Sequence, residues 1–276
     1  MKRQILQSHI ADYADFLRRE ERAPATIEKY LRDVRSFAAW LDGRPVDKQL
    51  ASEWKTHLLS EGLSPATVNG KVSAVNGLFR FLGWEDCRVK FLRLQRRAFR
   101  DASRELTRSE FDQLRSAASG RQALLLEAIC ATGIRVSEVR YITVEAAQAG
   151  RADISLKGKI RTILLPGKLC RKLLKFARQQ GIVSGEIFLT KDEKSLTRHQ
   201  IWREMKILCK KAGVKASKVF PHNLRHLFAV TFYKATRDIV KLADLLGHSS
   251  INTTRIYLLT TGAEHVRQLE RLGLVC

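Results

Sequence analysis

Apolar residues recur at helical spacing along most of this chain, and only residues 154–165 and 187–189 break that rhythm. A helix that buries one stripe must find a partner for it, so a period of 3.6 kept up over many segments restricts the fold to packed helices. In the N-terminal third, Tyr13, Phe16 and Leu17 mark a first helix. Ile27, Tyr30, Leu31, Val34, Phe37 and Leu41 mark a second, with Pro24 just ahead, where proline is tolerated. Leu50, Trp54 and Leu58 mark a third. Ser64 and Pro65 have the form of an N-cap and a first helical residue, and Val68, Val72, Val75, Phe79 and Leu82 follow on one face. These stripes are read as core. They give a small all-α domain of four helices over residues 1–92.

Residues 93–104 change character. Arg93, Arg96, Arg97, Arg100 and Arg104 fall within twelve positions with few apolar neighbours, the pattern of a basic interdomain linker. A second domain is expected over residues 105–276. Thr107 and Glu110 form a capping box that opens a helix with Phe111 and Leu114 on its apolar side. Residues 124–130 are almost continuously apolar, as in a buried helix. Residues 154–156 and 160–165 are short and β-prone, and Lys157-Gly158-Lys159 between them signals a hairpin with a basic tip. Residues 187–189 are placed as a third short strand. From Thr197 to Leu272 the pattern is helical again. The expected fold is mainly α in two domains, the second carrying a small antiparallel β-sheet.

Charge then narrows the partner. Fifty Lys and Arg against 28 Asp and Glu give a net charge of +22 and a pI near 10.2. Such a surplus favours a polyanion, and its spread along the chain favours nucleic acid over a membrane surface. No apolar run reaches the length of a membrane span. Met1-Lys2-Arg3-Gln4-Ile5 is soon followed by His9, Asp12 and Asp15, so no secretory signal is expected. The five cysteines are scattered without a CxxC pair and read as reduced thiols of a cytoplasmic protein. Neither a Walker-type glycine loop nor a cluster of acidic or Cys/His metal ligands stands out, so no cofactor and no metal are expected.

Four segments carry candidate chemistry. In GIRVSEV (133–139) Gly133 permits a tight turn and Arg135 enters at a helix start. In HNLRH (222–226) the residues His222, Arg225 and His226 stand at i, i+3 and i+4, on one helical face. Positive charge gathered there costs stability unless an anion binds, although His226 could equally cap or pack. In LGHSSINTTRIY (246–257) Gly247-His248 reads as a turn, and Tyr257 follows a polar, cappable Asn252-Thr253-Thr254. A lone tyrosine is nearly always a packing residue; its place in this string singles it out. The fourth segment is the hairpin tip with Lys157.

These motifs, in this order, resemble those of the tyrosine recombinase (phage integrase) family, in its Xer-like, small integrase branch. PATIEKYLRDVRSFAAWL (24–41) and SPATVNGKVSAVNGLFRFL (64–82) resemble the family's SAM-like core-binding domain, so the likeness covers nearly the whole chain. It implies a site-specific recombinase that cuts and rejoins DNA through a 3′-phosphotyrosine. It assigns Tyr257 as nucleophile, Arg135 and Arg225 as phosphate-binding arginines, His222 as the first and His248 as the second histidine. Lys157 matches the hairpin lysine, with Lys159 an open alternative because the hairpin differs in length around residues 161–163. Leu227 and Val230 replace the small or hydroxyl residues frequent after the HxxRH motif, at packing positions.

The chemistry agrees with those residue types. A phosphoryl transition state places charge on non-bridging oxygens, and an arginine's planar fork matches phosphate with two parallel hydrogen bonds. A free tyrosine has a pKa of about 10, so neighbouring cations would have to lower it, with His222 taking the proton. Lys157 would protonate the leaving 5′ oxygen. The implied partners are double-stranded DNA and a tetrameric synapse of this chain, or a related recombinase, on it. The implied location is the nucleoid of a bacterial or archaeal-type cell. The tail, with Val266, Leu269 and Leu272 on one side, is expected to dock on a neighbouring protomer rather than on its own domain. A type IB topoisomerase-like relaxing enzyme and a catalytically silent DNA-binding protein are the alternatives.

Overall fold

The protein is described by a computed structural model covering residues 3–94, 102–156, 159–258, 266–267 and 270–272. Its contacts divide the chain into two units, Met1–Arg96 and Arg97–Cys276. No helix among the described residues is long and apolar enough to cross a membrane.

The first unit is the expected set of four helices: α1 (Gln7–Arg19), α2 (Pro24–Leu41), α3 (Lys48–Ser60) and α4 (Pro65–Phe81). Their starts follow from local chemistry. Pro24 and Pro65 occupy the first turn, where a missing N–H costs nothing. Asp47 caps α3 by accepting from Leu50 N at 2.7 Å, and Ser64 caps α4 by accepting from Thr67 N. Phe37, Trp54 and Phe79 meet at the centre, Phe37 and Trp54 with ring centroids 4.9 Å apart. Ile10, Tyr13, Leu31, Val34 and Leu78 form a second cluster where α1 lies on α2 and α4.

After α4 the chain returns along the same helix, held by two asparagines two turns apart. Asn76 donates to Val89 O at 2.9 Å and accepts from Val89 N at 3.0 Å. Asn69 makes the same pair of bonds with Leu92 O and Leu92 N. Each side-chain amide satisfies an N–H and a C=O that have no strand partner.

The second unit opens with α5 (Arg108–Ala117), on which the Thr107/Glu110 capping box is formed in both directions. The buried helix α6 (Gly120–Thr132) comes next, then a 3₁₀ segment (Val136–Tyr141) and α7 (Val144–Ala149). Strands β1 (Arg151–Leu156) and β2 (Lys159–Leu164) pair antiparallel, from Arg151 opposite Leu164 to Leu156 opposite Lys159. Helices α8 (Gly167–Gln179), α9 (Arg198–Ala212), α10 (Pro221–Thr236), α11 (Ile239–Leu246) and α12 (Ile251–Arg255) complete it, ending in a 3₁₀ turn (Ile256–Leu258). Leu114, Leu126, Ile129, Ile154, Leu173, Phe188, Ile201 and Leu224 lie in one core.

The third strand placed at residues 187–189 is not formed. The sheet has two strands, and this stretch is flanked only by isolated bridges, Thr143 with Glu186 and Leu189 with Ser195. Ile187 and Phe188 are both buried, so consecutive side chains enter the core, unlike the alternation of a half-buried strand. Most of the proposed linker (95–101) and of the tail beyond Leu258 lies outside the described residues; Ala102–Arg104 form one 3₁₀ turn.

Asn76→Ala would strand the N–H and C=O of Val89 in a buried setting. We expect a loss of about 2–6 kcal/mol from the first unit, since each of the two unsatisfied groups costs about 1–3 kcal/mol. Urea unfolding followed by tryptophan fluorescence reads this, because Trp40, Trp54 and Trp84 belong to that unit. An unchanged midpoint would refute it.

Candidate active site

Five of the six residues singled out in the sequence fall among the described residues, and five elements of the second unit bring them together. Arg135 follows the end of α6. Gly133 reverses the chain there with φ +63°, and a Cβ on it would lie 2.5 Å from Phe228 Cδ1 and 3.0 Å from Leu246 Cδ2. Both the left-handed backbone and the close approach require glycine. Ile134 is then anchored in the core, and Arg135 stands at the N-cap of the 3₁₀ segment. Its backbone N–H and Nη1 both donate to the Glu138 carboxylate at 2.9 Å, and its Nη2 reaches Gly247 O at 3.4 Å. Glu138 is buried. Burial alone would raise its pKa, but the Arg135 backbone and guanidinium and the charge of Arg161 outweigh this and hold it below the ordinary carboxylate range.

On α10, Pro221 fills the first turn, and His222, Arg225 and His226 share one face as the spacing predicted. Arg225 is only 3% exposed. Its Nη1 donates to Gly133 O, and its Nη2 donates to Leu246 O at 2.7 Å and lies 3.0 Å from His248 Nε2. Burial pushes its pKa down to about 10, and Arg135 pushes the same way; the nearby Tyr257 opposes the fall. The guanidinium stays charged at neutral pH.

Gly247 ends α11 in the left-handed region, and the His248 N–H turns back to Ala243 O at 3.0 Å. His248 Nδ1 lies 2.9 Å from Thr254 Oγ1. Because a guanidinium only donates, Nε2 of His248 accepts from Arg225, so Nδ1 carries the proton and donates to Thr254. Burial lowers the His248 pKa to about 4, helped by Arg225, Arg135 and Arg161. The imidazole is therefore neutral at pH 7.

Tyr257 sits in the final 3₁₀ turn and is 5% exposed. Three imidazoles surround its ring, with centroids at 5.4 Å for His222, 5.6 Å for His226 and 5.7 Å for His248. A cleft of 550 Å³ opens over Arg135, Trp202, His222, Arg225, His248 and Tyr257.

Several contacts were not visible in the sequence. Ser250, not Asn252-Thr253-Thr254, caps α12, accepting from Asn252 N, and Thr254 is buried against His248 instead. His226 packs on the tyrosine. Glu138 carries Arg135. Arg161 of β2 donates to both Glu138 and Leu246 O. Its signal was its register: along an alternating strand it takes an inward slot, beside buried Ile163, while Ile160 and Leu164 are 81% and 63% exposed. Lys157 lies outside the described residues, as does the side chain of its alternative, Lys159.

Residues 104–263 match the model of the phage integrase family, and residues 10–86 match that of the phage integrase N-terminal SAM-like domain. Tyrosine recombinase XerA of Thermococcus kodakarensis is 30% identical over 274 residues, covering 95% of this chain and 93% of the relative. Tyrosine recombinase XerC of Roseiflexus castenholzii is 31% identical over 261 residues, covering 84% and 82%. Among solved structures, a lambda integrase dimer bound to a COC′ core site superposes with a TM-score of 0.75 at 18% identity, over 91% of this chain and 94% of that one. XerH bound to palindromic difH in a post-cleavage complex gives 0.68 at 19% identity, over 90% and 79%. The chain belongs to the phage integrase family and is a site-specific tyrosine recombinase.

The depressed His248 pKa has a pH signature. An imidazole that titrates near 6.5 when unfolded and near 4 when folded binds its proton more readily in the unfolded chain. Its stabilisation is complete above pH 6.5 and is lost as pH falls towards 4. Imidazole NMR of the DNA-free protein should place the His248 midpoint near 4, and a midpoint at 6.5 or above would contradict the tautomer assignment.

Proposed function

We propose that Arg135, His222, Arg225, His248 and Tyr257, with Lys157 from the hairpin tip, form the catalytic set of this recombinase, acting on double-stranded DNA. What supports this most is the placement of Tyr257: ringed by three histidines and opening on the cleft that Arg135 and Arg225 line. The Tyr257 oxygen attacks the scissile phosphorus and its proton passes to His222. Arg135 and Arg225 hold the two non-bridging oxygens, where charge grows in the transition state. The bond to the 5′ oxygen breaks as Lys157 supplies its proton. The 3′-phosphotyrosine keeps the energy of the phosphodiester, so a 5′-hydroxyl from another strand can reverse the step without ATP.

His248 has two tasks in this scheme. In the free site its Nε2 accepts from Arg225 and so orients that guanidinium. A bound phosphate offsets the surrounding arginine charge and favours protonation, which turns Nε2 into a donor to the phosphate.

We further propose that residues 93–104 strap the chain along DNA phosphates between a DNA-binding domain (1–92) and the catalytic domain (105–276), and that the enzyme works as a tetramer on DNA in the cytoplasm. A lambda integrase tetramer bound to a Holliday junction shares its fold, with a TM-score of 0.74, which supports that assembly.

A suicide substrate nicked near the site tests the chemistry. The wild type should accumulate a covalent adduct and Tyr257→Phe none. Arg225→Lys should cut the rate on the order of 10²- to 10³-fold, the usual effect of one lost transition-state donor, while DNA binding holds. An adduct persisting in Tyr257→Phe would overturn the nucleophile assignment.

Truncation after Thr261 bears on assembly. We expect synapsis in a two-site assay to fall while single-site binding in a gel shift is kept; equal loss of both would refute docking of the tail on a neighbour.

A further inference from the structure

Arg161 has no role in the scheme above, yet among the described residues it is a heavily committed cation of the hairpin. It stands opposite Ile154 in the β1–β2 register and points inward, where Ile154 and Ile163 are core residues. Only 15% of its side chain is exposed. Its Nη2 donates to the Glu138 carboxylate, and its Nη1 donates to Leu246 O. Glu138 is the carboxylate that holds Arg135 by backbone and side chain. Leu246 O is the carbonyl that also accepts from Arg225. One guanidinium thus touches both groups on which the two phosphate-binding arginines rest.

The fit leaves no spare room. A Cβ on Gly247 would come within 2.5 Å of Arg161 Cδ and 2.6 Å of its Nη1, so the stem lies directly on the backbone of the turn that presents His248. Arg161 Nε is buried without a hydrogen-bond partner among the described residues. An unsatisfied buried N–H is a cost, and a side chain retained despite it is under some other constraint. Lysine could keep only part of this tie, because a point charge on one nitrogen cannot match both acceptors lying in the directions of a planar fork. Arg161 is not among the residues that line the cleft, so it acts through its neighbours and not on the phosphate.

We propose that Arg161 is a positioning residue for strand cleavage: it ties β2 to Glu138 and Leu246 and so fixes Arg135 and Arg225 at the separation the phosphate requires. This rests on the catalytic set proposed above. It also makes the hairpin a structural part of the phosphate site, so that seating of the strand and geometry of the arginines are coupled.

The test is single-turnover adduct formation on the nicked substrate at saturating DNA, with the dissociation constant and melting temperature measured in parallel. Arg161→Met should slow the adduct on the order of 10- to 100-fold, the scale of a small misplacement of reacting groups, with DNA affinity within about twofold of the wild type. Arg161→Lys should recover part of that rate; if Arg161→Met melts below the assay temperature, Arg161→Lys carries the test by itself. Wild-type rates in either variant, or a slowdown matched by an equal loss of affinity, would overturn the proposal. Tyr257→Phe separates the two ideas. An adduct that survives it overturns the catalytic set and Arg161 with it, whereas a Tyr257-dependent adduct with normal rates in the Arg161 variants overturns Arg161 alone.

Discussion

The interaction on which the rest of the site depends is the burial of Arg225 between two helix ends. Among the described residues its guanidinium has no carboxylate partner in the hydrogen-bond pattern; it donates to Gly133 O at the end of α6 and to Leu246 O at the end of α11. Each helix C-terminus carries roughly half a negative elementary charge in its free carbonyls. Two such ends replace much of the water that burial removes, and they do so without cancelling the cation. A carboxylate there would have held the arginine more cheaply and left less charge for a phosphate. The arrangement also joins α6, α10 and α11 at one point. Losing the acceptors would leave a buried cation unsupported, a cost of about 3–5 kcal/mol.

That interaction dictates the glycines. For both carbonyls to converge on one guanidinium, two helices must stop abruptly and expose their last C=O inward. Gly133 and Gly247 do this in the left-handed region, at φ +63° and +62°, each with a neighbour already in the space a Cβ would take. At the second turn, the His248 N–H and the Gly247 N–H satisfy Ala243 O and Asp244 O. Leu246 O is left to accept from two arginines with its two lone pairs. The motifs GIRVSEV and LGHSSINTTRIY are therefore one structural device written in two places: a glycine that ends a helix, followed by the residue the ending presents.

Much of this was legible in the sequence, for physical reasons that also mark where legibility stopped. The helices of the first unit announce themselves because each buries one stripe, and α2, α3 and α4 start at a proline or a capping side chain. The i, i+3, i+4 spacing of His222, Arg225 and His226 places them on one face whatever surrounds the helix. Residues 187–189 misled because a short apolar run has no period; consecutive burial at Ile187 and Phe188 distinguishes core loop from strand only once the neighbours are known. Thr254 reads as a cap by composition and is instead a buried partner of His248, since a threonine's hydroxyl serves either end equally well. Arg161 could have been found by register, as a charge in an inward slot of an alternating strand, but its partners lie 23 and 85 residues away.

The charge balance explains why the parts form one site. Arg135 and Arg161 share the Glu138 carboxylate, Arg225 lies beside them on backbone carbonyls, and burial together with these three cations keeps His248 neutral. The site therefore carries excess positive charge, and its repulsion adds to burial in depressing the pKa values of Arg225 and His248. In the proposed reaction a phosphodiester entering the cleft would relieve that repulsion, and a transition state with more charge on its oxygens would relieve it further. Because the guanidiniums are already held by fixed carbonyls and a buried carboxylate, little reorganisation is left to do when that charge develops, which is the condition under which electrostatic stabilisation is strongest. On the proposed catalytic set, the repulsion that destabilises the site is thus the source of a preference for the reacting phosphate over the resting one.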